Sequence, residues 1–370
     1  MMSNSGKYCF VYIQASHYRK ELFECFDKNL ECDFVVGRQI GDIKVMDMSQ
    51  FRNAVFYVTN RMKGDTVFWQ SGVLSFVFKQ YKAFYITGDP HCLSTWLFLL
   101  IGRLLRKKIT IGTHGLYGKE SIRQKRIKCF MYSLAYNIVV YNNYSKRLLL
   151  KEGFADNRVF VHNNSLDYSE QIKLRHLNLS DSIYRNHFRN NNPVLIFIGR
   201  LTRVKQLHIA LQAIKLLNSK GYPFNLVFVG DGTERDHLET LTKEMHLTDL
   251  VWFYGACYNQ RENAVLIHNA EICIAPGNVG LTAMHVMMYG TPVITHDNFP
   301  LQMPEFEAIV PSKTGAFFKY GEAGSLADTI LSWCVNHPDR ETVRKECYHE
   351  IDTNWTTEVH YSRIVEALNS

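Results

Sequence analysis

The sequence contains no C-x-x-C pair, no internal repeat and no tract of low complexity. Its cysteines (Cys9, Cys25, Cys32, Cys92, Cys129, Cys257, Cys273, Cys334 and Cys347) are odd in number and scattered through apolar surroundings. That distribution argues against both a disulfide framework and a cysteine zinc site, and predicts reduced, buried thiols. Long apolar runs are missing too. The longest, Leu93 to Ile101, includes Ser94 and Thr95 and is too short to span a bilayer. A chain of this kind that meets a membrane is expected to lie on it. Met1 to Lys7 carries one lysine and no apolar core of signal-peptide length, so the expected location is cytoplasmic, with peripheral contact to the inner membrane face left open.

What the sequence does have is length, apolar content and an uneven charge. Its 370 residues, 46% of them apolar, suffice for two ordinary domains. The net charge of +7 is concentrated between Arg103 and Lys151, where twelve lysines and arginines face one acid, Glu120. The rest of the chain is therefore net acidic. Such a region suits an anionic membrane surface or an acidic acceptor, and equally a solvated pair of helix faces. No nucleic-acid-binding module surrounds it, which disfavours nucleic acid as a partner.

Short apolar runs of strand length alternate with helical patterns. In the first half they lie at Tyr8 to Ile13, Asp33 to Val36, Thr66 to Trp69, Ala83 to Ile86, Lys108 to Ile111 and Asn137 to Tyr141, with helices over Leu93 to Leu105 and Ser121 to Ala135. A polar stretch from Asp167 to Asn192 interrupts the pattern, and a strand at Val194 to Ile198 restarts it. The alternation predicts an α/β protein with two parallel, Rossmann-like sheets. The expected division is 1–180, 181–345, and a closing segment 346–370 whose helix returns to the first domain.

Three turns in the second half follow strands and suit phosphate. Gly199-Arg200-Leu201 leaves the first strand, with Lys205 expected to open the next helix. Glycine lets the backbone approach a ligand there, and the two cations supply charge for a diphosphate. Phe228-Val229-Gly230-Asp231-Gly232 has the same form, but Arg235 stands where a dinucleotide fingerprint has its third glycine, which disfavours a dehydrogenase. Pro276-Gly277-Asn278-Val279-Gly280-Leu281 opens a helix whose free amides suit an anion.

These turns, together with Val251-Trp252-Phe253-Tyr254-Gly255 and Met288-Tyr289-Gly290-Thr291-Pro292-Val293-Ile294, resemble the donor half of retaining glycosyltransferases of family 4, often called group 1. The resemblance spans Pro193 to Ser370. It implies the GT-B fold, two facing Rossmann-like domains, and a retaining, metal-independent transfer without a cofactor. The donor would be a nucleoside diphosphate sugar, a UDP-sugar first, and the acceptor a glycan or lipid-linked hydroxyl in surface polysaccharide synthesis. It also implies that Gly199, Arg200 and Lys205 grip the diphosphate, that Gly230, Gly280 and Leu281 lend backbone, and that the base lies near the turn from Gly255 to Tyr258. In the first half, Thr113-His114-Gly115 resembles the family's cleft segment, with His114 touching the donor sugar. Pro304-Glu305 resembles a further donor-side turn.

The pattern is broken at one place. Family members carry two glutamates in the third turn and the helix after it, and alignment on Gly280-Leu281 puts Gly277 and His285 at those positions. Gly277 has no side chain to hold sugar hydroxyls; His285 retains an imidazole for ribose. A catalytically silent nucleotide-sugar-binding subunit is therefore a competing expectation, and a nucleotide-sugar epimerase a more distant one.

Overall fold

A computed structural model describes residues 6–41 and 44–370. They form two compact units, one running through Asp167 and taking up Thr356–Ser370, the other being Tyr168–Trp355. The division thus falls at 167/168 and 355/356, where the sequence pattern pointed to 180/181 and 345/346. The polar stretch that looked like a connection is part of the second unit. It forms two short helices, Tyr168–Arg175 and Ile183–Phe188, and Tyr184 hydroxyl donates to the Leu266 carbonyl at 2.6 Å.

The first unit has eight strands: β1 (Tyr8–Tyr12), β2 (Cys32–Gly37), β3 (Ala54–Lys63), β4 (Val67–Ser71), β5 (Ala83–Thr87), β6 (Ile109–Thr113), β7 (Asn137–Val140) and β8 (Val159–Val161), in the order β4-β3-β2-β1-β5-β6-β7-β8. All neighbours are parallel except β3 and β4, an antiparallel hairpin at one edge. This departs from the all-parallel expectation. Most of β3 is exposed, so its sequence lacks the continuous apolar character that marks the buried strands. The alternation along β1 divides the core: Cys9 and Val11 pack with the helices Leu93–Leu104 and Ile122–Leu134, while Tyr8, Phe10 and Tyr12 pack with Lys20–Asn29 and the last helix, Thr357–Asn369. Asn137 Nδ2 (2.7 Å) and Thr110 Oγ1 (3.3 Å) both donate to the Ala367 carbonyl, fixing that last helix on the sheet.

The second unit has six strands: β9 (Val194–Ile198), β10 (Asn225–Val229), β11 (Val251–Gly255), β12 (Ile272–Ala275), β13 (Val293–His296) and β14 (Gly315–Phe318), all parallel, in the order β11-β10-β9-β12-β13-β14. From β9 the chain steps outward to β10 and β11, then crosses to β12 on the other side. The order therefore reverses between β9 and β12. In an open parallel sheet, ligands settle in the crevice at the carboxyl ends of the strands flanking such a reversal.

Candidate functional site

The turns singled out from sequence lie at that crevice. Those after β9 and β10 are joined backbone to backbone: Gly199 N donates to Val229 O (2.9 Å), Leu201 N to Asp231 O (2.9 Å) and Glu234 N to Leu201 O (3.0 Å). The contact leaves no room for side chains. A Cβ on Gly230 would stand 1.9 Å from the Gly199 oxygen, and one on Gly232 2.3 Å from the Leu201 oxygen. Both glycines also adopt positive φ, +152° and +156°, where other residues are strained. Two loops thereby act as one stiff rim.

Lys205 lies in a 3-10 turn, Arg203–Lys205, and the helix after it starts only at His208. The expectation that Lys205 opens a helix is corrected in this detail. Gln206, at φ +50°, redirects the chain between turn and helix. The effect is to swing Lys205 across to the turn after β12, where its ammonium donates to the Asn278 carbonyl (2.7 Å) and to Asn278 Oδ1 (2.8 Å). Burial and the neighbouring Arg200 cation push the Lys205 pKa down, while the Glu305 carboxylate pulls it up. Glu305 itself is buried in the 3-10 segment Pro304–Ala308. Arg200 is exposed beside Lys205, so one partly sheltered cation and one solvated cation share the mouth of the crevice.

Asn278 escaped the sequence analysis as a functional residue, although it lies inside a turn already marked as phosphate-suited. Thr282 and Gln302 escaped it too. Thr282 Oγ1 donates to the Ile198 carbonyl (3.2 Å), tying the β12 turn to the end of β9. Gln302 accepts from Val279 N (2.9 Å) and donates to Thr295 Oγ1 (2.9 Å) and the His296 carbonyl (3.0 Å). These bonds fix Gly280 (φ +49°) and Leu281 at the head of the helix Thr282–Met288. That helix is only two turns long, so local amides matter there more than a macrodipole.

The two positions that break the family pattern are explained separately. At Gly277 a Cβ would lie 2.1 Å from the Val204 oxygen and 2.6 Å from Lys205 Cα, and the Gly277 amide donates to the Lys205 carbonyl at 2.9 Å. Backbone fills the space a side chain would need. His285 is half-buried; its Nε2 is sealed from solvent without a hydrogen-bond partner, and its ring meets Tyr289 edge-on at 5.7 Å. Burial pulls its pKa down to about 4, so the imidazole is neutral at physiological pH. Tyr258, at the far end of the turn after β11, is 92% exposed and meets none of these groups in an observed bond or ring contact.

In the first unit, His114 follows β6 directly. Gly115 (φ +67°) turns the chain, and Ser145 Oγ donates to the His114 (2.9 Å) and Leu116 (2.8 Å) carbonyls to hold the turn. The His114 ring stacks on Tyr141 at 4.5 Å, and the Arg19 guanidinium donates to the Tyr141 hydroxyl. Crowding by these groups, followed by the charges of Arg19 and Lys128, pulls the His114 pKa down to about 4, although the outer surface of the residue stays open to solvent. On the other side of Tyr141 lie His162 (4.4 Å) and then His360 (4.3 Å from His162), whose Nδ1 meets Ser165 Oγ at 3.0 Å. Burial holds both of these imidazoles well below the usual pKa.

An unfolded imidazole takes up its proton near pH 6.5, whereas the sheltered His285 resists protonation until about pH 4. Between those values the unfolded chain binds more protons, so stability is fully present above pH 6.5 and declines as pH falls. The thermal midpoint is expected to drop by roughly 5 °C between pH 7.5 and pH 5. A midpoint that is flat across that range would show the His285 ring to be solvated.

Comparison with known proteins bears on both units. Residues 181–350 match the family model described as glycosyl transferases group 1. A protein of Klebsiella pneumoniae described as an uncharacterized 41.2 kDa protein in cps region is 24% identical over 279 residues, 75% of this chain and 67% of that protein. The capsular polysaccharide biosynthesis glycosyltransferase CapM of Staphylococcus aureus is 19% identical over 288 residues, 69% of this chain and 70% of CapM. Several other curated relatives are matched over 28% to 38% of their own lengths. Among solved structures, Anabaena Alr3699/HepE in complex with UDP superposes with a TM-score of 0.69 at 17% identity, covering 98% of this chain and 99% of that one. Residues 181–350 thus carry the glycosyl transferases group 1 pattern, on a chain with the GT-B fold of glycosyltransferases.

Proposed function

We propose that the chain is a glycosyltransferase that takes a nucleoside diphosphate sugar, a UDP-sugar first, on the Tyr168–Trp355 unit. It passes the glycosyl group with retention, and without a metal, to a hydroxyl of a glycan or lipid-linked acceptor in surface polysaccharide synthesis. One observation carries this reading: the Lys205 ammonium, with the Arg200 cation near it, meets the β12 turn where the strand order reverses, beside a rim of backbone that only glycine permits. UDP in the HepE structure and the description of CapM support the donor and the pathway class.

Arg200 and Lys205 face the charge that builds on the departing diphosphate, and such stabilisation is often the largest single contribution to catalysis. With two cations in place, charge neutralisation needs no metal. The acceptor oxygen bonds to the anomeric carbon on the face from which the phosphate oxygen leaves, and that departing oxygen takes the acceptor's proton. His114, on the first unit, keeps a neutral imidazole able to hydrogen-bond a sugar hydroxyl. Leu281 and Gly280 amides and the Gly230 backbone complete the diphosphate site, His285 stands toward the ribose, and the turn ending at Tyr258 borders the base.

The missing glutamates at Gly277 and His285 favour a second reading, a subunit that binds nucleotide sugar without turning it over. Incubation with a panel of UDP- and GDP-sugars and a lipid-linked acceptor fraction separates the two. Transfer from an α-linked donor is expected to give an α-linked product by NMR. Donor binding with neither transfer nor hydrolysis across the panel would establish the silent subunit, and a β-linked product would refute retention.

A further inference from the structure

The first unit has a surface that the transfer reaction does not use. On the helix Leu93–Leu104, the residues Leu93, Leu97, Leu100 and Leu104 recur at helical spacing and are all exposed, Leu104 at 76%. Beside it runs the helix Ile122–Leu134, whose outer face shows Ile127 and, at 61% exposure, Phe130. Phe130 stacks on Trp96 at 6.0 Å, and Arg103 Nη1 donates to the Ser133 carbonyl at 2.6 Å, so the two helices form one surface. Their inner faces are already committed to the core through Phe98, Leu99, Met131 and Tyr132. The outer leucines are therefore surplus to folding. Isolated exposed apolar residues are ordinary, but a continuous stripe with a charged border marks an interaction surface.

That border is cationic. Arg123 and Arg126 flank the apolar residues of the second helix, and both are exposed. At the end of the leucine helix lies a cavity of about 920 Å³ lined by Arg103, Arg106, Lys107 and Arg158. No aspartate or glutamate lines it among the described residues. Arg158 is held with its Nε on the Tyr136 carbonyl (3.0 Å) and an Nη on the Ala135 carbonyl (2.6 Å), so neutral main-chain oxygens fix its place without cancelling its charge. Ser370 also lines the cavity and is met by Lys108 Nζ at 3.3 Å. Elsewhere in the basic region the charge is partly neutralised by the ion pairs Lys125–Glu152, Lys128–Glu120 and Lys146–Asp156. Arg103, Arg106, Lys107 and Arg158 thus gather positive charge at the end of the apolar stripe.

We infer that this face docks on an anionic lipid bilayer, with the leucine stripe and Phe130 entering the interfacial layer and a phospholipid phosphate seated among Arg103, Arg106, Lys107 and Arg158. Charge selects the occupant: an apolar strip bordered by arginine matches a surface in which hydrocarbon lies just beneath a sheet of phosphates. No helix among the described residues is long and apolar enough to cross a membrane, so the contact is interfacial.

Flotation of the full chain with phosphatidylcholine vesicles, with and without phosphatidylglycerol, tests the inference. Binding is expected only to the anionic vesicles and is expected to weaken as salt is raised. The double variant Arg103→Glu/Arg106→Glu should bind about 30-fold or more weakly, from the loss of roughly one surface attraction per cation. Leu97→Ser/Leu100→Ser should retain a residual attraction that high salt abolishes. Circular dichroism and thermal melting establish that both variants are folded, and UDP affinity should be unchanged in both. Inorganic phosphate at millimolar concentration should not release the vesicles. Equal binding to both compositions, no flotation, wild-type binding by either folded variant, or release by free phosphate would overturn the inference.

Discussion

Replacing Lys205 with alanine is expected to lower kcat/KM for glycosyl transfer about 100- to 1,000-fold, the scale seen when one preorganised donor is removed from a developing oxyanion. The expectation rests on its tether to Asn278, at 2.7 and 2.8 Å, which occupies two of the three ammonium donors and holds the charge at the crevice. Partial burial strengthens its action on a phosphate, because less water screens it. Arg200→Ala should cost less in kcat and more in donor KM, since Arg200 is exposed and unrestrained. Steady-state kinetics and calorimetric titration with UDP separate the effects. Should Lys205→Ala turn over donor as the wild type does, the diphosphate assignment fails.

Introducing the family carboxylate by Gly277→Glu is expected to abolish donor binding rather than improve catalysis. The obstacle appears at the first side-chain atom, 2.1 Å from the Val204 oxygen, so Gly277→Ala should be almost as damaging. Because backbone is the obstacle, relief requires moving residues 204–205, which carry the ammonium itself. Overpacking of this sort costs about 1–3 kcal/mol, sometimes more, and here the displaced element is part of the site. Melting curves and UDP titration on both variants provide the measurement. A Gly277→Glu protein that melts normally and transfers faster would show that the turn relaxes freely.

The α/β class and most strands were legible because buried parallel strands are short, uniformly apolar runs. Strands β9, β10 and β12 lie where their apolar runs and the turns after them pointed. The hairpin strand β3 was not, since an exposed edge strand such as Ala54–Lys63 needs no apolar face. Strand β14, four residues long, was missed because its identity comes from pairing with β13. At the site, glycine and cation positions were visible, whereas the partnership of Lys205 with Asn278 was hidden. Their 73-residue separation is closed only by the crossover from β9 to β12. The exclusion of side chains at Gly277 was equally hidden, being a property of backbone three strands away in sequence order.

The assignment of Thr356–Ser370 to the first unit also orders the protein's birth. Synthesised from the amino end, the first unit has its whole sheet early, and the helix Lys20–Asn29 with it, yet lacks the second of the two helices that cover Tyr8, Phe10 and Tyr12 until the second unit has been made in full. The Tyr168–Trp355 unit can therefore complete its core first, while a half-covered aromatic sheet face waits beside the ribosome. During that interval the nascent first unit is exposed to the wrong partners that a chaperone keeps away.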